Sequence, residues 1–123
     1  SMSRISIRYT RPEFETHVGR LLESLHIVPK NPELYILACV HRSVLNEAAD
    51  GYAESNERLE YLGDAVLELV ITEALFYEFP DKSEGELTDI RSALVRGRNL
   101  AEIAHRLHFF HAIQVSRGEF NAK

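Results

Sequence analysis

The chain contains the stretch Asn56-Glu57-Arg58-Leu59-Glu60-Tyr61-Leu62-Gly63-Asp64-Ala65-Val66-Leu67-Glu68-Leu69. At about 100° of rotation per residue, a helix through this stretch has two faces of different chemistry. One face has the spacing of a core stripe, so we expect it to be buried. It consists of Leu59, Leu62, Val66 and Leu69. The other face holds four carboxylates within about 80°, namely Glu57, Glu60, Asp64 and Glu68.

The acidic face has two interpretations. Like charges one helical turn apart destabilise a helix by a few tenths of a kcal/mol per pair, and the stretch contains no Lys to relieve them. A solvated acidic surface is the ordinary interpretation. The alternative is a site for a divalent cation such as Mg²⁺, which prefers carboxylate oxygens. Two residues favour the metal site: Gly63, which costs about 1 kcal/mol inside a helix, and Tyr61, an aromatic placed beside the carboxylates.

Residues 56–67 resemble the signature of the ribonuclease III family, with Tyr61 where Phe is commoner. The resemblance extends along the chain. His41-Arg42-Ser43 with Asn46-Glu47 is similar to the motif that precedes the signature, although a His and a Ser that close a helix are the alternative interpretation. The Glu84-Gly85 pair follows Asp64 at the family's interval of 20 residues.

The resemblance implies an activity and a set of residues for it. The activity is metal-dependent hydrolysis of phosphodiester bonds in double-stranded RNA, with Mg²⁺ as cofactor and Mn²⁺ as its substitute. Glu60 and Asp64 would be the catalytic metal ligands, and Glu57 and Glu84 accessory carboxylates. The family pattern also implies a homodimer in which the Tyr61 ring anchors the partner, and in which the acidic helices line a valley for duplex RNA.

Composition bounds the class of protein. The 123 residues are 45% apolar and 27% charged, which predicts one globular domain. The sequence has neither an 18-residue apolar run nor a signal-peptide pattern, so we expect an intracellular, cytoplasmic protein without a membrane segment. The net charge of −5 disfavours RNA binding by charge alone and suits an acidic site loaded with metal. The lone Cys39 lies in an apolar run, which predicts an inert buried thiol.

The pattern of caps and prolines predicts an all-α fold, the helical fold of a ribonuclease III endonuclease domain. Residues 1–9 are interpreted as a tag remnant followed by an extended arm, with no evident partner strand. Thr10-Arg11-Pro12-Glu13 predicts the start of a first helix and Asn31-Pro32 the start of a second. The signature helix must end before Pro80. Ser83 with Glu86 predicts another helix start, and two further helices meet near Gly97.

The family pattern also predicts what the sequence omits. Residues 10–123 would form a ribonuclease III catalytic domain that is incomplete at its C-terminus. The missing last helices would carry an Asp and a Glu that complete the acidic site, and a double-stranded RNA binding domain usually follows. Activity of this chain alone is therefore open. The rival hypothesis is a non-catalytic ribonuclease III-fold protein that binds RNA or acts as a scaffold, but the retained carboxylates favour the enzyme.

Overall fold

A computed structural model describes residues 6–45 and 52–122, and these form an all-α fold, as predicted. The described residues contain isolated β-bridges but no extended strand. Two short 3-10 turns lie at Arg42–Val44 and Phe109–Ala112. The α-helices are α1 Arg11–Ser24, α2 Pro32–Ala38, α3 Glu57–Glu78, α4 Glu84–Leu94, α5 Gly97–Arg106 and α6 Arg117–Asn121.

The helix starts lie where the capping residues place them. The Thr10 hydroxyl accepts a hydrogen bond from the Glu13 amide at 3.3 Å and donates one to the Glu13 carboxylate at 2.9 Å. Ser83 and Glu86 repeat this arrangement at the start of α4, with 3.2 Å from the Glu86 amide to the Ser83 hydroxyl. Each cap satisfies an amide that the helix leaves unpaired. Asn31 precedes α2 as predicted but makes no capping bond with its side chain.

The end of α1 is a Schellman motif, built on a residue other than glycine. The His26 amide donates to the carbonyl of Glu23 at 3.0 Å, and the Ile27 amide donates to that of Leu22 at 2.9 Å. This pair of bonds requires a left-handed residue after the helix, and His26 has φ of 58°. A side chain with Cβ is strained in that region, whereas glycine is not.

We therefore expect His26→Gly to raise the free energy of unfolding by about 1 kcal/mol. Urea denaturation followed by circular dichroism measures the change. Ser24→Gly, in the last turn of the same helix, is the matched control, and it should destabilise the chain because its backbone is helical. An unchanged or lower stability for His26→Gly would show that the imidazole itself stabilises this turn.

The chain divides into two compact units. The first contains the described residues up to Leu59 together with those from His108 onward, and the second is Glu60–Leu107. The core of the first unit is built around α1, whose Phe14, Val18 and Leu22 are buried. The Phe14 ring packs edge-on to the ring of Tyr52 at 6.3 Å. Other buried members of this core are Val40, Val44 and Ala112.

The extended arm before α1 has a partner that the sequence did not reveal. Ile7 forms an antiparallel bridge with Ser116. The Arg8 amide donates to the Val115 carbonyl at 2.9 Å, and the Arg117 amide donates to the Ser6 carbonyl at 2.8 Å. The arm therefore belongs to the first unit, paired with a segment more than 100 residues later in the sequence.

Gln114 joins the arm to the core and is fully buried. Its side-chain oxygen accepts from the Tyr9 amide at 3.1 Å. Its side-chain nitrogen donates to the Tyr9 carbonyl and to the Tyr52 hydroxyl, both at 2.9 Å. Its backbone bonds Cys39 and His41. A buried amide with every group paired fixes the register of the elements around it.

In the second unit, the prediction that the apolar face of α3 is a core stripe is wrong for three residues. Leu62, Val66 and Leu69 are 59%, 52% and 67% exposed. Only Leu75 is buried among the residues of α3. The periodic pattern identified an apolar face, but the described residues cover it only in part, since Leu62 lines a groove together with Val95 and Leu100 and is still more than half exposed.

Cys39 is a half-buried thiol in the first unit. Burial raises its pKa to about 11, because the thiolate loses hydration in an apolar environment. The raised pKa supports the predicted inert thiol, but Cys39 is half-buried rather than buried. Since the folded pKa lies above the unfolded value, this group contributes stability below about pH 9, and the contribution is lost as the pH rises toward 11.

We expect iodoacetamide at pH 8 to modify Cys39 about 100-fold more slowly in the folded chain than in the urea-unfolded chain, since the thiolate fraction differs by two pKa units. Mass spectrometry over time gives both rates. A short peptide spanning Cys39 in the same urea concentration controls for the effect of urea on the reagent. Equal rates in the folded and unfolded chain would mean that the thiol is open to solvent.

Candidate metal site on α3

The start of α3 is fixed by two residues that precede it. The Ser55 hydroxyl accepts from the Glu57 amide and donates to the Glu57 carboxylate, both at 3.3 Å. The Asn56 side chain donates to the Ala38 carbonyl at 3.0 Å. The Ser55 side chain thus pairs the first amide of α3. Glu57 is therefore engaged at the helix start rather than extended freely from it.

Glu60 and Asp64 lie one turn apart on α3 and are both exposed. Residues at this spacing have Cβ atoms about 5–6 Å apart. Within the described part of the chain, neither carboxylate has a Lys or Arg partner. Two charges about 6 Å apart in water repel by about 0.7 kcal/mol. The helix thus presents two uncompensated carboxylates on one face, which a cation would stabilise.

A groove of about 550 Å³ opens beside this face within the second unit. Asp64 and Glu68 supply its acidic part. Its apolar wall includes Leu67 on α3, with Val95 and Leu100 from the segment that joins α4 to α5 and from α5 itself. No sequence pattern indicated Val95 and Leu100 as neighbours of the carboxylates, because that contact depends on how the helices fold back on each other.

The carboxylate oxygens present suit a cation that takes few ligands from the protein and keeps most of its coordinated water molecules. No group of three His, Cys, Asp or Glu side chains gathers as a metal centre among the described residues. Mg²⁺ is commonly held by one or two carboxylates together with waters and substrate phosphates. Two exposed carboxylates at Glu60 and Asp64 match that requirement. They do not match a site for Zn²⁺, which takes four ligands from the protein or three and a water.

Glu84 lies at the start of α4 in a different cavity, of about 410 Å³. This cavity also contains two cationic side chains, Lys82 and Arg91. Lys82 pairs with Glu86 at 3.7 Å, and Arg91 donates to the Thr72 hydroxyl at 2.9 Å. The structure therefore does not bring Glu84 together with Glu60 and Asp64, and its accessory role stays a prediction.

Tyr61 and Gly63 are exposed on the surface of α3 rather than buried in a core. The Tyr61 side chain is 83% exposed and lines the groove beside Asp64. A Cβ built on Gly63 would meet nothing within 4 Å. The interpretation that a neighbour needs the missing side chain of Gly63 therefore has no support among the described residues.

Known proteins resemble this chain over a region that includes α3 and its carboxylates. The profile of the ribonuclease III domain matches residues 57–122. Ribonuclease 3 of Clostridium botulinum is 53% identical over 112 residues, which cover 91% of this chain and 44% of the relative. Ribonuclease 3 of Carboxydothermus hydrogenoformans is 46% identical over 92 residues, which cover 75% of this chain and 39% of that relative. The chain thus spans less than half the length of these relatives.

A solved structure extends the likeness to three dimensions. The nuclease domain of ribonuclease III from Campylobacter jejuni superposes with a TM-score of 0.76 at 39% identity. The match covers 85% of this chain and 69% of that one. That structure is described as showing structural flexibility in the region involved in dimer formation.

None of the helices in the described residues has both the length and the apolarity needed to cross a membrane.

Proposed function

The chain belongs to the ribonuclease III domain family, and we propose that it supplies carboxylates for metal-dependent hydrolysis of phosphodiester bonds in double-stranded RNA. The observation that carries this proposal is the pair Glu60 and Asp64, exposed one turn apart on α3 without a Lys or Arg partner among the described residues. A scaffold protein has no use for two carboxylates that repel each other. The rival hypothesis of a non-catalytic family member is therefore weaker.

Glu60 and Asp64 are the residues that would hold the divalent metal implied by the family. Both are acceptor-only groups when ionised, and both project from a rigid helix rather than from a loop. We propose Mg²⁺ as the natural ion and Mn²⁺ as its substitute, since both are hard cations that prefer oxygen. When bound, such an ion activates water and stabilises the charge that develops on the phosphate.

The proposed substrate fits the charge of the chain. With a net charge of −5, the chain does not attract RNA by its overall field, so a cation at the acidic face would have to mediate contact with the phosphate. Double-stranded RNA is recognised mainly through its shape and backbone, so we expect little dependence of cleavage on base sequence. The relatives are bacterial proteins, and bacterial RNA lies in the cytoplasm, so we propose that the activity is cytoplasmic.

A chimaera tests this function. In it, the chain replaces the matching 112 residues of the Clostridium botulinum relative. We expect the chimaera to cleave a long RNA duplex with Mg²⁺, to be inactive in EDTA, and to leave either separated strand intact. The chain alone is assayed beside it. An inactive chimaera, under conditions where the relative itself cleaves, would favour the scaffold hypothesis.

We also propose that the chain forms a homodimer in which Tyr61 anchors the partner. The support is its 83% exposure beside the acidic face, since exposed aromatic residues are common hot spots of interfaces. Tyr61→Ala should weaken self-association by about 30-fold or more, as measured by sedimentation velocity over a range of concentrations. Tyr77→Ala is the matched control, because Tyr77 is 75% exposed and projects from another side of the same helix. If both variants sediment like the unmodified chain, the anchor lies elsewhere.

A further inference from the structure

A third cavity lies in the first compact unit and shares no residue with the groove beside α3 or with the cavity of Glu84. Its volume is about 560 Å³, which is within the range of pockets that bind small molecules. It is built by the arm, by the residues just before the first 3-10 turn and α3, by the second 3-10 turn with the segment after it, and by α6. The lining residues are Arg8, His41, Asn56, Phe110, Ile113, Val115, Glu119, Phe120 and Asn121.

One part of the cavity is an aromatic platform formed by Phe110 and Phe120. The guanidinium of Arg8 lies 4.3 Å from the centre of the Phe120 ring and 4.6 Å from that of Tyr9. Hydrogen bonds from Arg8 to the carbonyls of Phe110 and Ile113 hold it in this position. The rings of Phe110 and Phe120 nevertheless remain 48% and 47% exposed. Aromatic rings and guanidinium planes are the surfaces on which unpaired bases stack.

The rest of the cavity carries hydrogen-bonding groups of both kinds. His41 accepts from the Ser43 amide at its Nδ1, at 3.0 Å, so the ring proton lies on Nε2, which is a donor. The Asn56 side-chain nitrogen donates to the Ala38 carbonyl, and the Asn56 Oδ1 is an acceptor. The Glu119 carboxylate is a second acceptor. A ligand with donors and acceptors on the edge of a flat ring would satisfy both kinds.

We propose that this cavity binds an unpaired nucleobase of the RNA, and that guanine is the base it favours. Guanine alone has two adjacent N–H donors on its Watson–Crick edge, which a carboxylate such as Glu119 can accept as a pair. The aromatic platform contributes stacking for any base, and Glu119 contributes the preference. The choice of RNA as the source of the base rests on the proposed function, whereas the affinity of the cavity for a base does not.

Calorimetric titration of the chain with guanosine, adenosine and cytidine monophosphates, in EDTA, tests the proposal without metal or cleavage. We expect guanosine monophosphate to bind about tenfold more tightly than either of the others, as a bidentate contact implies. Glu119→Gln should remove that preference and leave binding of adenosine monophosphate within about twofold. Glu73→Gln, an exposed carboxylate on α3, is the matched control and should bind like the unmodified chain.

A second variant keeps the test valid if Glu119→Gln alters folding. Phe120→Leu removes half of the platform, and it should weaken binding of all three nucleotides by about tenfold while keeping their ranking, since stacking does not distinguish bases. Equal affinities for the three nucleotides in the unmodified chain, or no binding of any, would overturn the proposal. Guanine-selective binding by the chain, together with an inactive chimaera, would instead uphold this cavity and reject the nuclease.

Discussion

Asp64→Asn, introduced into the chimaera, should lower the rate of duplex RNA cleavage by at least about 100-fold, because stabilisation by a bound metal is worth several kcal/mol. The substitution keeps the size of the side chain and removes its charge. Asp64 is exposed on α3, so the folded structure has no need of its carboxylate. We therefore expect the midpoint of thermal unfolding to stay unchanged or to rise slightly, since repulsion with Glu60 is also removed, which separates loss of chemistry from loss of fold.

Two further measurements test whether the loss of cleavage in Asp64→Asn comes from a weakened metal site. Asp89→Asn makes the same chemical change at an exposed position of α4, and it should cleave at the unmodified rate. Raising the concentration of Mn²⁺ should restore part of the Asp64→Asn activity, if the substitution acts by weakening the metal site. Full activity of Asp64→Asn at low Mg²⁺ would show that this carboxylate has no part in catalysis.

Gln114→Met should lower the free energy of unfolding by about 3 kcal/mol and the midpoint of thermal unfolding by about 10 °C or more. Methionine keeps the length and volume of the side chain, so the loss comes from hydrogen bonds rather than from a cavity. The substitution leaves the Tyr9 amide, the Tyr9 carbonyl and the Tyr52 hydroxyl without their partner. Unpaired polar groups in a buried site cost about 1–3 kcal/mol each.

Asn31→Ala is the control for Gln114→Met. It also removes a side-chain amide, but one that makes no capping bond and is exposed, so we expect a change within about 0.5 kcal/mol. Guanidinium denaturation followed by circular dichroism measures both variants. A cost below about 1 kcal/mol for Gln114→Met would mean that water replaces the lost bonds, and that the arm is not held by this side chain.

Local signals in the sequence predicted helices α1 to α5, whereas α6 was not predicted. Thr10 and Ser83 marked helix starts through their side-chain bonds, and Pro80 marked the end of α3, because each of these effects depends on neighbours within four residues. Spacing alone also indicated the acidic face of α3 with its four carboxylates, whereas the resemblance to the ribonuclease III family singled out Glu60 and Asp64 among them. Their common face follows from helix geometry, which needs no tertiary information.

Long-range contacts were not predictable in the same way. Gln114 lies in a segment with no periodic pattern, and its partners Tyr9 and Tyr52 are 105 and 62 residues away. The exposure of Leu62 was missed for a related reason. Periodicity identifies an apolar face, but it does not indicate which element, if any, packs against that face. The cavity around Arg8 likewise depends on segments from both ends of the chain.

The central claim is that Glu60 and Asp64 hold a divalent cation, and calorimetric titration of the chain with Mn²⁺ tests it most directly. We expect the unmodified chain to bind Mn²⁺, and Glu60→Gln to weaken that binding by about tenfold or more, since it removes one of two charged ligands. Glu73→Gln, half a turn around α3 from Asp64 at about 100° per residue, should bind as the unmodified chain does. Equal affinities in Glu60→Gln and the unmodified chain would contradict the claim and place any metal elsewhere.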